Sequence, residues 1–460
     1  MKDTTKQPGT NLDPNSLRVR DKRGRYRYVR LRWRVLFAVI DALGWLLFWP
    51  AYLWRKLVRH GSISPRRIRT ILVIQLDHFG DAILSTGLLQ WIKQRFPTAS
   101  LEVLTSKWNQ EFFQQLTLVD QVHVLAETRF ARAGNWRWVR ALIVHSWQLR
   151  RRQFDLAVDV RGEFPHAVAM WLAGAVNRVG WSAGGGGFLL THSTPFVPQR
   201  HEVASRAEIA SLISAKPIPP EDVAPQVTAP SQSSIGEFVS SNSQSQTLLA
   251  TTVSPRTISR GAIALHIGAG TAAKIWPAES WASLALELIA RETTRQVVLL
   301  GGPSERDLAE AVLLQCHVAA NSDVHISGAH RLMNLAGQMS LMELTHVLQQ
   351  CSVLVGADSG PAHLASACGT PVVVLYSGTN HPEQWRPWGD QVSVVKHPVA
   401  CAPCHLETCP LPDHPCMQGI KPRQVAGVID GVLEAERKRD VRQSVEITGH
   451  VVNRPIARRV

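Results

Sequence analysis

The stretch that most constrains the fold is CSVLVGADSGPAHLASACGTPVVVLYSG, residues 351–378. An apolar run, apolar enough for an interior strand, ends on Asp358. The chain then breaks at Ser359-Gly360, and Pro361 stands where a helix begins, a position at which proline loses no hydrogen bond. Cys368-Gly369-Thr370-Pro371 stops that helix, and a second apolar strand, VVVLYS, follows. This is a strand–turn–helix–strand unit with its polar residues gathered into one turn.

The same alternation recurs along the chain. From Ile71, ILVIQLD reads as a strand, AILSTGLLQWIKQRF as a helix, Pro97 as a break and SLEVLTS as the next strand. A helix rich in Trp and Arg over 136–152 leads into the strand FDLAVDV. From Ala262, AIALHI, WASLALELIAR, QVVLL, SERDLAEAVLLQ and MELTHVLQQ continue the pattern into the opening unit. Strands alternating with helices predict an α/β chain of doubly wound, mostly parallel sheets. Between about 211 and 260 the pattern collapses into PIPPEDVAPQ and then a stretch with eight serines and almost no charge, the composition of a linker or long surface loop. The expected organisation is an N-terminal arm (1–69), a Rossmann-like domain (70–210), the linker (211–260), a second Rossmann-like domain (261–425), and a terminal helix with a tail (426–460). A chain of 460 residues suits two such domains plus extensions.

The net charge of +14 suggests a nucleic-acid partner until its distribution is read. Residues 1–70 hold 17 Lys/Arg and 4 Asp/Glu, whereas the remaining residues hold 33 and 32. The body is nearly neutral, so no nucleic-acid surface is expected there. Within the arm, VLFAVIDALGWLLFWPAYLW (35–54) lies between basic runs. About 20 apolar residues can just span a bilayer, but Asp41 and Pro50 interrupt the run and arginines flank both ends. A helix lying on an anionic membrane surface, held by Trp, Phe, Leu and basic residues, is the expectation. A single span, or a helix packed on the body, are the alternatives. A long basic run and the lack of a small-residue cleavage site argue against a signal peptide.

Parallel sheets carry ligand-binding loops at the carboxyl ends of their strands, and four turns occupy that position. In LDHFGDAIL, Asp81 starts a helix, either as a cap or as a carboxylate available for general-base chemistry. In HIGAGTAAKIWP, a glycine-rich turn including Gly270 exposes backbone N–H groups beside Lys274, a combination suited to a diphosphate. Neither the P-loop pattern nor a dinucleotide fingerprint is present. GGGG (184–187) reads as a bare flexible turn, and LLGGPSERD (299–307) as a further glycine turn. In the opening unit, Asp358, Ser359, Gly360 and His363 gather at a helix N-terminus, which favours anions.

Four motifs in order resemble glycosyltransferase family 9, the bacterial heptosyltransferases. They are ILVIQLDHFGD, KIWP after its glycine-rich turn, LAGQMSL, and GADSGPAHLA, spread over about residues 70–425. The resemblance implies a GT-B fold of two facing Rossmann-like domains. It implies inverting transfer that requires no cofactor or metal, from a nucleotide-diphosphate sugar, ADP-heptose being the expected case. The acceptor would be a lipid-linked or cell-envelope glycan such as lipopolysaccharide core, at the cytoplasmic face of the bacterial inner membrane. Position by position, Asp81 looks like the catalytic base and Lys274 like the donor-phosphate residue. Met339 looks like a nucleotide-pocket residue, and Asp358, Ser359, Gly360 and His363 look like the donor-sugar and diphosphate site. The long basic arm and the serine-rich linker depart from the best-known members. Rival readings are a nucleotide-sugar epimerase of the same architecture and a membrane-bound scaffold with a decayed site.

Cys401, Cys404, Cys409 and Cys416 crowd into CAPCHLETCPLPDHPC. Four thiols in such a run could hold a structural zinc; labile disulfides or unligated thiols are the alternatives. Cys316, Cys351 and Cys368 read as small core residues.

Overall fold

The computed structural model describes residues 31–58, 63–126, 137–228, 258–291, 293–294, 296–322 and 331–452. Most of the basic arm (1–30), the serine-rich part of the expected linker (229–257) and the tail (453–460) lie outside the described residues. The described chain divides into two compact units, one N-terminal and one C-terminal.

The N-terminal unit contains α1 (Leu31–Val58), β1 (Thr70–Gln75), α2 (Phe79–Leu84), α3 (Thr86–Arg95), β2 (Ser100–Ser106), α4 (Gln110–Gln115) and β3 (Gln121–Leu125). It continues with α5 (Arg137–Leu149), β4 (Leu156–Asp159), α6 (Phe164–Leu172), β5 (Asn177–Trp181), β6 (His192–Thr194) and α7 (Glu202–Ser214). All its strand pairs are parallel, in the order β3-β2-β1-β4-β5-β6. Leu72, Ile74, Leu104, Phe154, Ala157 and Met170 fill the layer between this sheet and the helices of one face.

The C-terminal unit repeats that order with β7 (Ala262–His266), α8 (Ala278–Ile289), β8 (Val297–Leu300), α9 (Arg306–Ser322), β9 (Leu332–Asn334), α10 (Leu341–Gln350) and β10 (Cys351–Ala357). α11 (Gly360–Ala367), β11 (Val372–Tyr376), β12 (Val392–Lys396), α13 (Pro415–Gln418) and α14 (Pro422–Val452) follow, while α12 (Pro382–Trp385), between β11 and β12 in sequence, groups with the N-terminal unit. Its parallel sheet runs β12-β11-β10-β7-β8-β9. Trp276, Trp281, Val353, Val355 and Ile429 belong to its core. The doubly wound α/β expectation holds for both units. Each sheet reverses direction once, between β1 and β4 in the first and between β7 and β10 in the second. Such switch points are where open α/β sheets leave a crevice for ligands.

Three sequence expectations change in detail. The helix expected over 82–96 is broken at Ser85, whose hydroxyl donates to the Asp81 carbonyl at 2.8 Å and ends α2 before α3 begins. The proline-rich stretch at the start of the expected linker is packed rather than loose: Val223 is buried, the Gln226 amide donates to Thr86 Oγ1 (3.2 Å), and Gly87 admits the Val223 carbonyl against α3. The GGGG turn is buried, not a bare flexible turn.

That turn is the seat of α1. Phe37, Asp41, Gly44 and Phe48 recur at helical spacing and form one face of α1. Asp41, 2% exposed, accepts a hydrogen bond from the Gly186 amide at 2.7 Å. Gly185 and Gly186 have φ of 85° and 78°, which side chains other than glycine's rarely adopt. Gly185 lies against the Phe37 ring and Gly44 against the Phe188 ring, so glycine lets helix and turn approach closely from both sides. Phe37 and Phe48 also contact Phe164 and Trp171 of α6, with ring centres 5.5 and 6.0 Å apart. The helix packed on the body, held among the alternatives above, is therefore what its inner face does. Its outer face stays apolar and open, with Leu46 and Leu47 77% and 76% exposed. No described helix is long and apolar enough to cross a membrane, so the single-span alternative is not supported.

Asp41→Ala should cost about 1–3 kcal/mol in urea unfolding, because the buried Gly186 amide loses that acceptor. Asp41→Asn, which keeps an acceptor, should cost clearly less.

Candidate active site

At the switch point of the N-terminal sheet, the turns after β1 and β4 bring acidic and basic residues together. α2 is capped at His78, and Asp81 is its third residue rather than its cap. Asp81 is 7% exposed and Asp77 2%. Trp108 Nε1 and Asn109 Nδ2 both donate to the Asp77 carbonyl (3.0 and 2.8 Å), which fixes the turn.

β4 ends on Asp159, whose carboxylate accepts from the amides of Arg161 (2.9 Å), Gly162 (2.9 Å) and Glu163 (3.2 Å) and pairs with His166 Nδ1 (2.9 Å). Gly162, at φ 76°, makes the bend that this requires. The locked turn presents Arg161, which lies 3.4 Å from Asp77, 3.5 Å from Asp81 and 3.9 Å from Glu163. Arg206 of α7 reaches Asp81 from another direction (3.8 Å), while donating to Ser85 Oγ (3.1 Å) and Glu202 (3.0 Å). Asp81 thus stands between two guanidinium groups. Burial opposes the Arg161 charge, but Asp77, Asp81, Glu163 and Glu202 outweigh it and hold the group protonated. Burial likewise opposes protonation of His166, yet the Asp159 charge and hydrogen bond raise its pKa to about 9.

The second cluster occupies the switch point of the C-terminal sheet. Asp358 closes β10, and Lys274 ends a short helical turn (Ala272–Lys274) after β7. Lys274 Nζ lies 2.6 Å from Asp358 Oδ2 and 3.1 Å from the Asp358 carbonyl. His363 Nε2 is 3.8 Å from Asp358 Oδ1, and Asn380 Nδ2 is 3.4 Å from Oδ2. Burial pushes the Asp358 pKa up, but the Lys274 charge and the neighbouring His363 overcome it and hold the carboxyl well below the usual range. Ser359 caps α11 by backbone geometry alone, its hydroxyl donating to the Ala357 carbonyl (3.2 Å); Gly360 is the first residue of that helix. Two polar atoms here, His363 Nδ1 and Thr271 Oγ1, are buried without a hydrogen-bond partner. Leaving such atoms unpaired costs about 1–3 kcal/mol each. Trp276, fully buried, anchors the turn by donating to the Ile420 carbonyl (3.1 Å) and packing edge-on against Trp281. The W-P of the KIWP motif is thus the foundation on which Lys274 stands.

Lys274, Asp358, Ser359, Gly360 and His363 are brought together. Gly270 lies in the same turn, with open space where a Cβ would stand. Met339 is half-buried in the loop before α10 and joins no described contact of the cluster.

The cysteine expectation is corrected. All seven cysteines are free, and no group of three or more His, Cys, Asp or Glu among the described residues could hold a metal. Cys401, Cys404, Cys409 and Cys416 line one cavity without forming such a group. His414 is occupied with the Ala273 carbonyl (3.0 Å). The loop instead braces the second cluster: Ala273 donates to the Glu407 carbonyl (2.9 Å), Cys404 to Gly378 and His405 to Thr379 (3.0 Å each). Cys316 and Cys351 are buried as expected, while Cys368 is half-buried.

Arg161, Arg206, Asp77, Glu202 and Asn380 escaped the sequence reading. The DVRGEFP turn carried a signal, since it follows the FDLAVDV strand as LDHFGD follows ILVIQ. Arg206 carried none, being one arginine inside a helix.

Comparison with known proteins places this geometry in context. The model of glycosyltransferase family 9 (heptosyltransferase) matches residues 143–414. Lipooligosaccharide heptosyltransferase 2 of Haemophilus ducreyi is 26% identical over 333 residues, 71% of this chain and 88% of that protein. Lipopolysaccharide heptosyltransferase 2 of Escherichia coli is 26% identical over 335 residues, covering 71% and 87%. Among solved structures, ADP-heptose lipopolysaccharide heptosyltransferase II of E. coli superposes with a TM-score of 0.59 at 21% identity, over 80% of this chain and 99% of that one. E. coli heptosyltransferase WaaC, solved with ADP-2-deoxy-2-fluoro heptose, gives a TM-score of 0.55 at 17% identity, covering 79% and 99%. The two doubly wound units are those of the GT-B fold.

The His166–Asp159 pair makes stability depend on pH. With the folded pKa raised to about 9 from an ordinary 6.5, the contribution is complete below pH 6.5 and disappears as pH rises through about 9. The melting temperature should therefore fall between pH 7 and 9.5, and His166→Asn should start lower and flatten that decline.

Proposed function

The chain belongs to glycosyltransferase family 9, and from that premise we propose that it transfers heptose, with inversion, from ADP-heptose to a lipid-linked envelope glycan such as lipopolysaccharide core. The observation that carries this reading is the buried Lys274–Asp358 pair beside His363 at the switch point of the C-terminal sheet. A transferred sugar leaves behind a diphosphate that gains negative charge in the transition state. Fixed positive groups and a helix N-terminus are what stabilise such charge. Lys274 supplies the charge, α11 supplies the amides, and His363 Nδ1 and Thr271 Oγ1, buried without a partner, supply polar contacts for donor oxygens.

On the other side of the reaction, an acceptor hydroxyl must lose its proton as it attacks the anomeric carbon. Asp81 is the base in this reading, oriented by Arg161 and Arg206. Attack from the face opposite the diphosphate inverts the configuration. Met339 and Gly270 belong to the nucleotide side.

The acceptor's lipid end calls for a membrane-facing surface. The outer face of α1 carries Leu36, Val39, Leu43, Leu46 and Leu47. On α5, which packs with α6 on the same face of the sheet, Ile143, Val144 and Trp147 are exposed, and Arg150 lies over the Trp147 ring. An apolar surface with arginines at its rim fits the interface of an anionic bilayer. This supports peripheral binding at the cytoplasmic face of the inner membrane.

Two tests follow. Asp81→Asn should lower turnover 10²–10⁴-fold while ADP still binds in calorimetry. Lys274→Ala should weaken ADP by roughly 1.5–3 kcal/mol and also lower the melting temperature, because it strands a buried Asp358 charge. Adding Asp358→Asn to Lys274→Ala should recover stability but not ADP affinity. If Asp81→Asn abolishes ADP binding and Lys274→Ala does not, the roles are wrongly assigned. Separately, Leu46→Glu with Leu47→Glu should reduce sedimentation with phosphatidylglycerol vesicles, and binding by the unmodified chain should weaken with salt. Undiminished binding by the variant would remove α1 from the interface.

A further inference from the structure

β11 and β12 belong to the C-terminal unit, yet the nine residues His381–Gly389 between them belong to the N-terminal unit. Three contacts hold this segment there. His201 Nε2 pairs with the Arg386 carbonyl (2.9 Å), Gln384 Nε2 donates to Glu202 Oε1 (3.0 Å), and the rings of Trp388 and His201 lie 4.8 Å apart. Glu202 is also the carboxylate that holds Arg206. At the end of α12, the Trp385 ring lies 5.6 Å from Arg161 Cζ. The segment therefore reaches both guanidinium groups that flank Asp81, one directly and one through Glu202.

We propose that Trp385 is a positioning residue for the transfer reaction: its ring holds Arg161 against the Asp77–Asp81 carboxylates and so fixes Asp81. The inference rests on Asp81 acting as the base. Arg161 lies 3.4–3.9 Å from the Asp77, Asp81 and Glu163 carboxylates, ion pairs whose strength depends on where the guanidinium is held. An aromatic face over a guanidinium attracts it and excludes water from it. Without the indole, water screens the three ion pairs and the long side chain regains its other rotamers. No described contact of Trp385 or Arg161 is to Lys274 or Asp358, so nucleotide affinity should change little.

The experiment uses the full chain and four variants: Trp385→Ala, Trp385→Phe, Arg161→Ala, and Trp385→Ala combined with Arg161→Ala. Trp385→Ala should lower kcat about 10–100-fold, the scale of a small misplacement of a reacting group. The ADP dissociation constant should stay within about twofold of the unmodified chain's. Trp385→Phe keeps a π face and should recover most of the loss. The double variant should be no slower than Arg161→Ala alone, since both changes remove one interaction. An unchanged kcat in Trp385→Ala, a Phe variant as slow as the Ala variant, or additive losses would each overturn the proposal. Hydrogen exchange of peptides spanning 77–84 and 161–166 needs no substrate and should be faster in Trp385→Ala. If the unmodified chain transfers no ADP-sugar, the functional reading fails. Unaltered exchange in those peptides overturns the positioning role whichever sugar is used.

Discussion

A parallel sheet covered by helices on both faces has nowhere to present chemistry except the ends of its strands. That constraint governs this molecule. Both sheets reverse direction once, and helices on either side of the reversal diverge to leave the strand ends accessible. The N-terminal sheet places the Asp77–Asp81 turn and the Arg161–Glu163 turn beside each other because β1 pairs with β4. The C-terminal sheet joins the Lys274 turn to the Asp358–His363 turn because β7 pairs with β10. Residues about 80 positions apart in sequence meet through strand pairing alone.

Each meeting point concentrates charge in a buried setting, and the two solve the cost differently. The C-terminal cluster is compact: one carboxylate, one lysine at 2.6 Å and a histidine. The N-terminal cluster is larger, with two arginines distributed among Asp77, Asp81, Glu163 and Glu202. Burying unpaired charge costs several kcal/mol per group, so neither cluster survives loss of one partner unchanged. Their supports are equally specific. Trp276 braces the lysine turn from below, and the Asp159–His166 pair locks the arginine turn by taking up three backbone amides.

The N-terminal helix shows how one apolar run serves two surfaces. Its composition alone suggested a helix for a bilayer, and Asp41 looked like a flaw in that reading. In the fold, Asp41 is the residue that docks the helix, because the GGGG turn offers it an amide that no side chain screens. The rest of its apolar surface stays exposed.

Much was legible from the chain itself. Strand–turn–helix repetition determined two parallel α/β units, and the positions of Asp81, Lys274, Asp358 and His363 at strand ends followed from the same periodicity. Glycine and proline punctuated those turns locally, which is why their sequence carried the information. Partners supplied from elsewhere in the chain were not legible. Arg206 lies inside an ordinary helix and Trp385 in a segment that leaves its own unit, so no local pattern marks either. The cysteine run misled for the same reason: spacing counts thiols, whereas ligation requires them to converge on one point. Sequence alone determined which backbone turns face the strand ends, because turn chemistry is local. Only the tertiary structure decided which charges neutralise one another there, because pairing depends on distance through space.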